Sequence, residues 1–206
     1  MKTQKVMAAR LLGDPVLAAK AEPVKRVDAA LLKLAEEMLK SMFAFEGIGL
    51  AAPQVGVGLR LITLAVNMPS EESTRPLTPG EALLLPRMPL ALVNPEIVAS
   101  GDTLVEAEEG CLSVPEIYAA VSRPSVVELQ ARTLAGEVIR AQCGGWLARV
   151  LQHEIDHLDG TLFIDRVSPA GYRLIKPKVD RLRAKAKAKG FLRRLLSHES
   201  KKDELL

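Results

Sequence analysis

The stretch "GGWLARVLQHEIDHLDG", residues 144–160, sets the terms for the fold. Glycines bound it on both sides, at Gly144, Gly145 and Gly160. Its apolar residues Trp146, Leu147, Val150, Leu151 and Leu158 fit a helix of about three to four turns. His153 and His157 are two of only three histidines in the 206-residue chain, and Glu154 directly follows the first. On a helix, positions i and i+4 share a face one turn apart, roughly 6 Å along the axis. Two imidazoles so placed can bind one divalent metal, with the intervening glutamate aimed at water. This is the H-E-x-x-H arrangement.

A catalytic metal with an open position takes a third protein ligand. The extended zincin pattern would put a histidine at position 163, where this chain has Phe163. His198, the one remaining histidine, lies in the basic tail. Asp165 follows the helix-ending glycine closely, and Asp180 lies further on. Cys143 suits the commoner role of a small buried hydrophobe. Cys111, in the glycine-flanked "EEGCLS", could stand on an exposed ligand loop among strands. Thiolate, two imidazoles and one water would make a tetrahedral site suited to zinc or ferrous iron.

Outward from the helix, "VDAALLKLAEEMLKSMF" (27–43) is amphipathic, with Leu31, Leu34, Ala35, Met38, Leu39 and Met42 on one face and Asp28 as N-cap. It runs into the glycine-rich "EGIGLAAPQVGVG" (46–58) and then "LRLITLAV" (59–66), which reads as a buried strand. Residues 67–89 hold five prolines among polar residues and read as a long surface loop. Strand-like segments follow at 90–100 and 103–115, then a hairpin over 125–142 with Ala135-Gly136 near its turn. A charged helical pattern runs from Ala170 to about Leu196. Without regular βαβ alternation, these elements predict an α+β fold. Mixed or antiparallel strands would surround a central metal-binding helix, with a further helix at the C-terminus.

Composition narrows the class. Two cysteines rule out a disulfide scaffold and suit a reducing, cytoplasmic setting. No apolar run approaches the roughly 18 residues of a membrane span. The terminal "KDELL" ends one leucine beyond an ER-retention address. Residues 173–206 carry 12 Lys/Arg against 4 Asp/Glu, while residues 1–172 carry 16 against 21. The expected organisation is a catalytic unit over 1–172, with a basic helix and tail of the same domain over 173–206.

Three stretches, "GIGLAAPQVG", "EGCLS" and "QHEIDHLDG", resemble in order and spacing the signature motifs of the peptide deformylase family. "GDPVLAAKAEPV" near the start is similar to the family's N-terminal segment, so the resemblance covers roughly residues 7–170. It implies a metal-dependent hydrolase that removes formyl from N-formylmethionine on new polypeptides. Cys111, His153 and His157 would hold one divalent metal, ferrous iron in preference to zinc. Glu154 would be the general acid/base. Gln54 (side-chain amide) and Leu112 (backbone N–H) would stabilise the oxyanion, and Gly49 would belong to the loop walling the site. Glu109 and Arg123 match positions that support the site from behind the ligands, and Trp146 would border the methionine pocket.

The chain departs from the family pattern at the long segment 67–89 and at Tyr118, which stands where many bacterial members carry arginine near the substrate mouth. Trp146 and Arg149 are similar to a subgroup that includes organellar enzymes. Asp156 has no assigned role. The basic tail could contact ribosomal RNA phosphate, since the implied substrate is a nascent chain. Two rivals are a zincin-type endopeptidase, which lacks its third histidine here, and a structural metal site in a basic-tailed nucleic-acid-binding protein. Structural zinc is usually closed by four protein ligands, which would recruit Cys143 and give Glu154 no purpose.

Overall fold

The computed structural model describes residues 6–70 and 75–203, with side chains described to residue 188. Helix α1 spans Ala29–Ala44 and is capped by the Asp28 carboxylate, which accepts from the Leu31 N–H at 3.0 Å. Five strands form an antiparallel sheet: β1 (Gly49–Ala51), β2 (Leu61–Leu64), β3 (Leu90–Ser100), β6 (Val126–Thr133) and β7 (Val138–Gly144), adjacent in that order. The remaining two, β4 (Leu104–Cys111) and β5 (Val114–Pro124), pair only with each other as an antiparallel ribbon. Helix α3 covers Gly145–Leu158 and helix α4 covers Pro169–Asp203. The architecture is α+β with antiparallel sheets and a C-terminal helix.

Three apolar clusters hold these layers together. Leu147, Leu151, Ile155 and Leu158 of α3 pack on Ile62, Leu64, Leu92, Leu129 and Ile139 of the large sheet. On a second seam, Leu31, Ala35, Met38 and Met42 of α1 meet Leu50, Leu61, Ala91 and Val93. Here the predicted helical faces are the buried ones. The third cluster joins Val114, Ile117 and Val121 of β5 to Phe163, Ile164, Ile175 and Val179, so α4 packs beside the ribbon. The expected division at 172/173 falls inside α4.

Residues 67–89 are not a plain surface loop. They contain a short helix, α2 (Pro79–Leu84), in which Glu81 is buried and accepts from Thr78 N–H, Thr78 Oγ1 and both ends of the Arg75 guanidinium. The sequence T-P-G-E carries a capping box ahead of an apolar run, which is the physical reason a helix forms there. Leu84 and Leu85 enter the core. Gly80 is required, because a Cβ there would collide with the Cys143 Sγ and the Gln142 backbone. Strand β5 also extends beyond the segment ending at 115, and β1 forms inside the glycine-rich run. Among the described residues, no helix is long and apolar enough to cross a membrane.

Candidate metal centre

The site lies where the end of the ribbon meets α3. Cys111 is the last residue of β4 and partly buried, so the expected exposed loop is corrected: it is held in a ladder opposite Val114. The register jumps from Gly110↔Tyr118 to Cys111↔Val114, an irregularity of the kind that re-aims a side chain. The Cys111 Sγ is 3.2 Å from His157 Nε2. One ligand atom from each of Cys111, His153 and His157 falls within 4.8 Å of the others. The two imidazole rings stand edge to face, their centroids 5.1 Å apart, and His153 stacks on Phe163. Asp165 is not in this cluster. The side chain of His198 lies outside the described residues.

Among the described residues, the buried polar atoms beside the cluster that lack a partner include Glu154 Oε2 and His157 Nδ1. A soft thiolate with two imidazoles is the donor set for zinc or ferrous iron, and the convergent atoms fit one such cation. Burial pushes the Cys111 thiol up, but His157 and His153 beside it outweigh that and hold it well below its ordinary value. Burial opposes a charged His153 ring, yet hydrogen bonds to Cys111 and Glu109 overcome it and raise the ring to about 10. The cluster thus favours a thiolate beside a charged His153 ring, and a divalent cation would take the place of the proton facing that thiolate. Cys143 differs: burial raises its thiol to about 12, and it sits in the core as a small apolar residue.

Behind the three residues stands a buried ionic network. Glu109 Oε2 accepts from His153 Nδ1 at 2.9 Å, which leaves Nε2 free to face the cluster. Arg123 grips both Glu109 oxygens at 2.7 and 2.9 Å and reaches Asp156 Oδ2 at 2.8 Å. Arg149 donates to Glu109 Oε1 at 2.7 Å and to the carbonyls of Val121 and Val105 on the ribbon. Asp156 also takes Arg166. Burial pushes the Glu109 carboxyl up, but hydrogen bonds from His153 and Arg123 outweigh it and bring it to about 2. These contacts tie β4–β5, which shares no ladder with the large sheet, to α3. The motif resemblance implies such a part for Glu109 and Arg123 but not for Arg149 or Asp156. Arg149 lies four residues before His153, and that shared helical face was the available signal.

The remaining candidates line one cavity of about 610 Å³. Gln54 is buried in the turn Ala52–Val55; its Oε1 accepts from the Ala51 N–H, and its Nε2 lies 3.4 Å from Cys111 Sγ. The carbonyl end of the amide is thereby used up, and the donor end faces the site. Leu112 sits in the turn between β4 and β5. Gly49 leaves no room for a side chain, since a Cβ would collide with the Glu154 carboxylate. Glu154 is 4% exposed, and burial raises its carboxyl above the ordinary range. Trp146, half exposed, is a wall of the cavity rather than a core residue, and Tyr118 stands at its rim.

The comparisons with known proteins agree with one another. The polypeptide deformylase family model matches residues 8–172. The peptide deformylase of Picosynechococcus sp. is 47% identical over 156 residues, covering 76% of each chain. The crystal structure of the Thermotoga maritima peptide deformylase superposes with a TM-score of 0.68 at 38% identity, over 80% of this chain and 99% of that one. A plant peptide deformylase structure gives 0.76 at 34% identity, over 92% and 95%. The chain belongs to the polypeptide deformylase family.

Proposed function

We propose that this chain removes the formyl group from N-formylmethionine at the start of new polypeptides, releasing formate, with one divalent metal on Cys111, His153 and His157. The convergence of these three residues beside the unpartnered Glu154 carboxylate is the observation that carries the reading. When bound, the metal supplies a Lewis acid and lowers the pKa of water it holds. Glu154, burial-raised and facing the cavity, takes a proton from the attacking water and returns it to the departing amine nitrogen. The Gln54 Nε2–H and the Leu112 backbone N–H donate to the oxygen that becomes negative as the formyl carbon turns tetrahedral. Gly49 keeps the backbone close to Glu154, and Trp146 walls the space for the methionine side chain.

We favour ferrous iron over zinc on the family resemblance, and since iron(II) and the Cys111 thiolate are both oxidisable, activity should decay in air. Protein purified without air should release formate from formyl-Met peptides, leave unformylated peptides intact, and lose activity on exposure to air. Cleavage of unformylated peptides would favour the endopeptidase reading, and fully active, air-stable protein containing only zinc would count against iron. The free thiols suit the cytoplasm.

We also propose that the basic C-terminal segment contacts ribosomal RNA. Lys185 and Lys187 are exposed on α4, which supports the reading; the side chains of Lys189, Arg193 and Arg194 lie outside the described residues. Neutralising these five should lower ribosome co-sedimentation and flatten its salt dependence, leaving turnover of a short formyl peptide unchanged. Unaltered co-sedimentation would leave α4 a solvated helix.

A further inference from the structure

The two groups assigned to the oxyanion stand on separate elements. Gln54 is in the turn Ala52–Val55, which follows β1 of the large sheet, and Leu112 is in the turn between β4 and β5. Among the described residues, no ladder joins the ribbon to that sheet. Their relative placement needs a tie of its own, and the chain supplies one ahead of α1. The Arg10 N–H donates to the Gln54 carbonyl at 2.7 Å. Two residues on, the Leu12 N–H donates to the Ser113 carbonyl at 2.8 Å.

This strap is itself pinned along its length. The Met7 N–H donates to the buried Ser41 hydroxyl of α1 at 2.9 Å. The Arg10 guanidinium lies against Gly56, which closes the Gln54 turn with a left-handed φ of 86°; a Cβ there would meet Arg10 Nε at 2.6 Å. Leu12 is 7% exposed and shares one apolar cluster with Val114 and Ile117 of β5 and Ile175 and Val179 of α4. Gly13 abuts Ala186 of α4 so closely that a Cβ would collide with it. Each donor is thereby held from two sides. Gln54 gives its backbone carbonyl to Arg10 and its side-chain Oε1 to the Ala51 N–H, which leaves Nε2 turned towards the Cys111 Sγ. Leu112 sits between Cys111, fixed in the β4–β5 ladder, and Ser113, whose carbonyl is taken by Leu12.

We infer that residues 10–12 are a positioning strap, whose Arg10 and Leu12 backbone N–H groups fix the spacing and aim of the Gln54 Nε2–H and the Leu112 N–H. That role rests on the deformylase reading and goes beyond it by giving the N-terminal segment a part in the rate. Neither Arg10 nor Leu12 lines the catalytic cavity, so each acts through the donor it holds. Losing an oxyanion donor outright costs about 10²–10³ in kcat, and misplacing a reacting group by about 1 Å can cost 10²-fold. Loosening one donor should therefore cost about tenfold. The oxyanion exists only in the transition state, so KM should stay within about twofold.

The test replaces single backbone amides by esters in the full-length chain, which removes one N–H and keeps the side chain. Swaps at Arg10 and at Leu12 should each lower kcat on formyl-Met-Ala-Ser about tenfold in holoenzyme of unchanged metal content. The control is Glu22, whose N–H donates to the Gly58 carbonyl at 2.9 Å, a residue that carries no donor; its swap should leave kcat within about twofold. Coupling separates aiming from mere stability. In a Gln54→Ala background the Arg10 swap should cost nothing further, because the donor it aims is gone, while the Leu12 swap keeps its cost. Nuclear magnetic resonance of the metal-free protein gives a readout without turnover. The Arg10 swap should move the Gln54 side-chain amide resonances and the Leu12 swap the Leu112 amide, with neither moved by the Glu22 swap. Undiminished kcat in the Arg10 and Leu12 swaps, a loss no larger than in the Glu22 control, or full additivity of the Arg10 swap with Gln54→Ala would overturn the inference. Absence of formate release by the unmodified holoenzyme would instead sink the deformylase reading, and this role with it.

Discussion

Replacing Glu154 by alanine is expected to leave one metal bound per chain and to lower kcat on a formyl peptide by about 10²–10⁴-fold, the usual worth of a positioned proton carrier. The argument is geometric. The Glu154 carboxylate is buried against the backbone of Gly49 and lines the same cavity as Cys111 and His153. One of its oxygens has no partner among the described residues, so they do not use it to satisfy a neighbour. It is not one of the three residues whose donor atoms converge. A group so placed, with its carboxyl raised by burial, can take up a proton and give it back. Removing it also removes an unfavourable buried carboxyl, so stability should hold or rise slightly. Metal content by elemental analysis and turnover on the same sample decide the matter. Unimpaired turnover in a fully metallated variant would take the proton-transfer role from Glu154, and loss of metal would make it a ligand.

What could be read from the chain alone followed from interactions near in sequence. The faces of α1 and α3 were legible because Leu31, Ala35, Met38 and Met42, and likewise Leu147, Leu151 and Leu158, recur with the helical period and are buried as that period requires. The hairpin β6–β7 was legible from its turn, where Gly136 takes a left-handed φ of 86°. Strand β5 was not, because "EIYAAVSRP" alternates poorly: its apolar residues face α4, a partner distant in sequence. Helix α2 was obscured by its prolines, although Thr78 and Glu81 carried the local signal. The convergence of β4 with α3 depends on long-range packing that periodicity does not encode. Cys111 was legible as a candidate third ligand, and the motif resemblance added Glu109 and Arg123. It left Arg149 and Asp156 without parts in a network that only the folded chain reveals.

That network makes Glu109 the second position where a single substitution should have a large effect. Glu109→Leu would leave Arg149 a buried cation without a carboxylate and Arg123 with Asp156 alone, their side chains 8% and 5% exposed, and would leave His153 Nδ1 without its acceptor. Breaking one partner out of a buried ionic cluster costs about 3–5 kcal/mol, and loss of the group orienting a ligand histidine typically costs 10–100-fold in metal affinity. Glu109→Gln retains an oxygen for one donor and should fall between wild type and Glu109→Leu on both measures. Acid sensitivity gives a separate readout. The Glu109 carboxyl titrates at about 2 in the folded chain against an ordinary value of 4.5. Its contribution is therefore fully present above about pH 4.5 and is lost as pH falls towards 2. Denaturant melts of metal-free protein across that window should show wild-type stability declining more steeply than that of the leucine variant. If the variant matched wild type in midpoint, acid slope and metal retention, Glu109 would be a passive neighbour. The ribbon carrying Cys111 would then be held against α3 by apolar contacts, by Arg123 on Asp156 and by Arg149 on the Val105 and Val121 carbonyls, and Cys111, His153 and His157 would keep their geometry without Glu109.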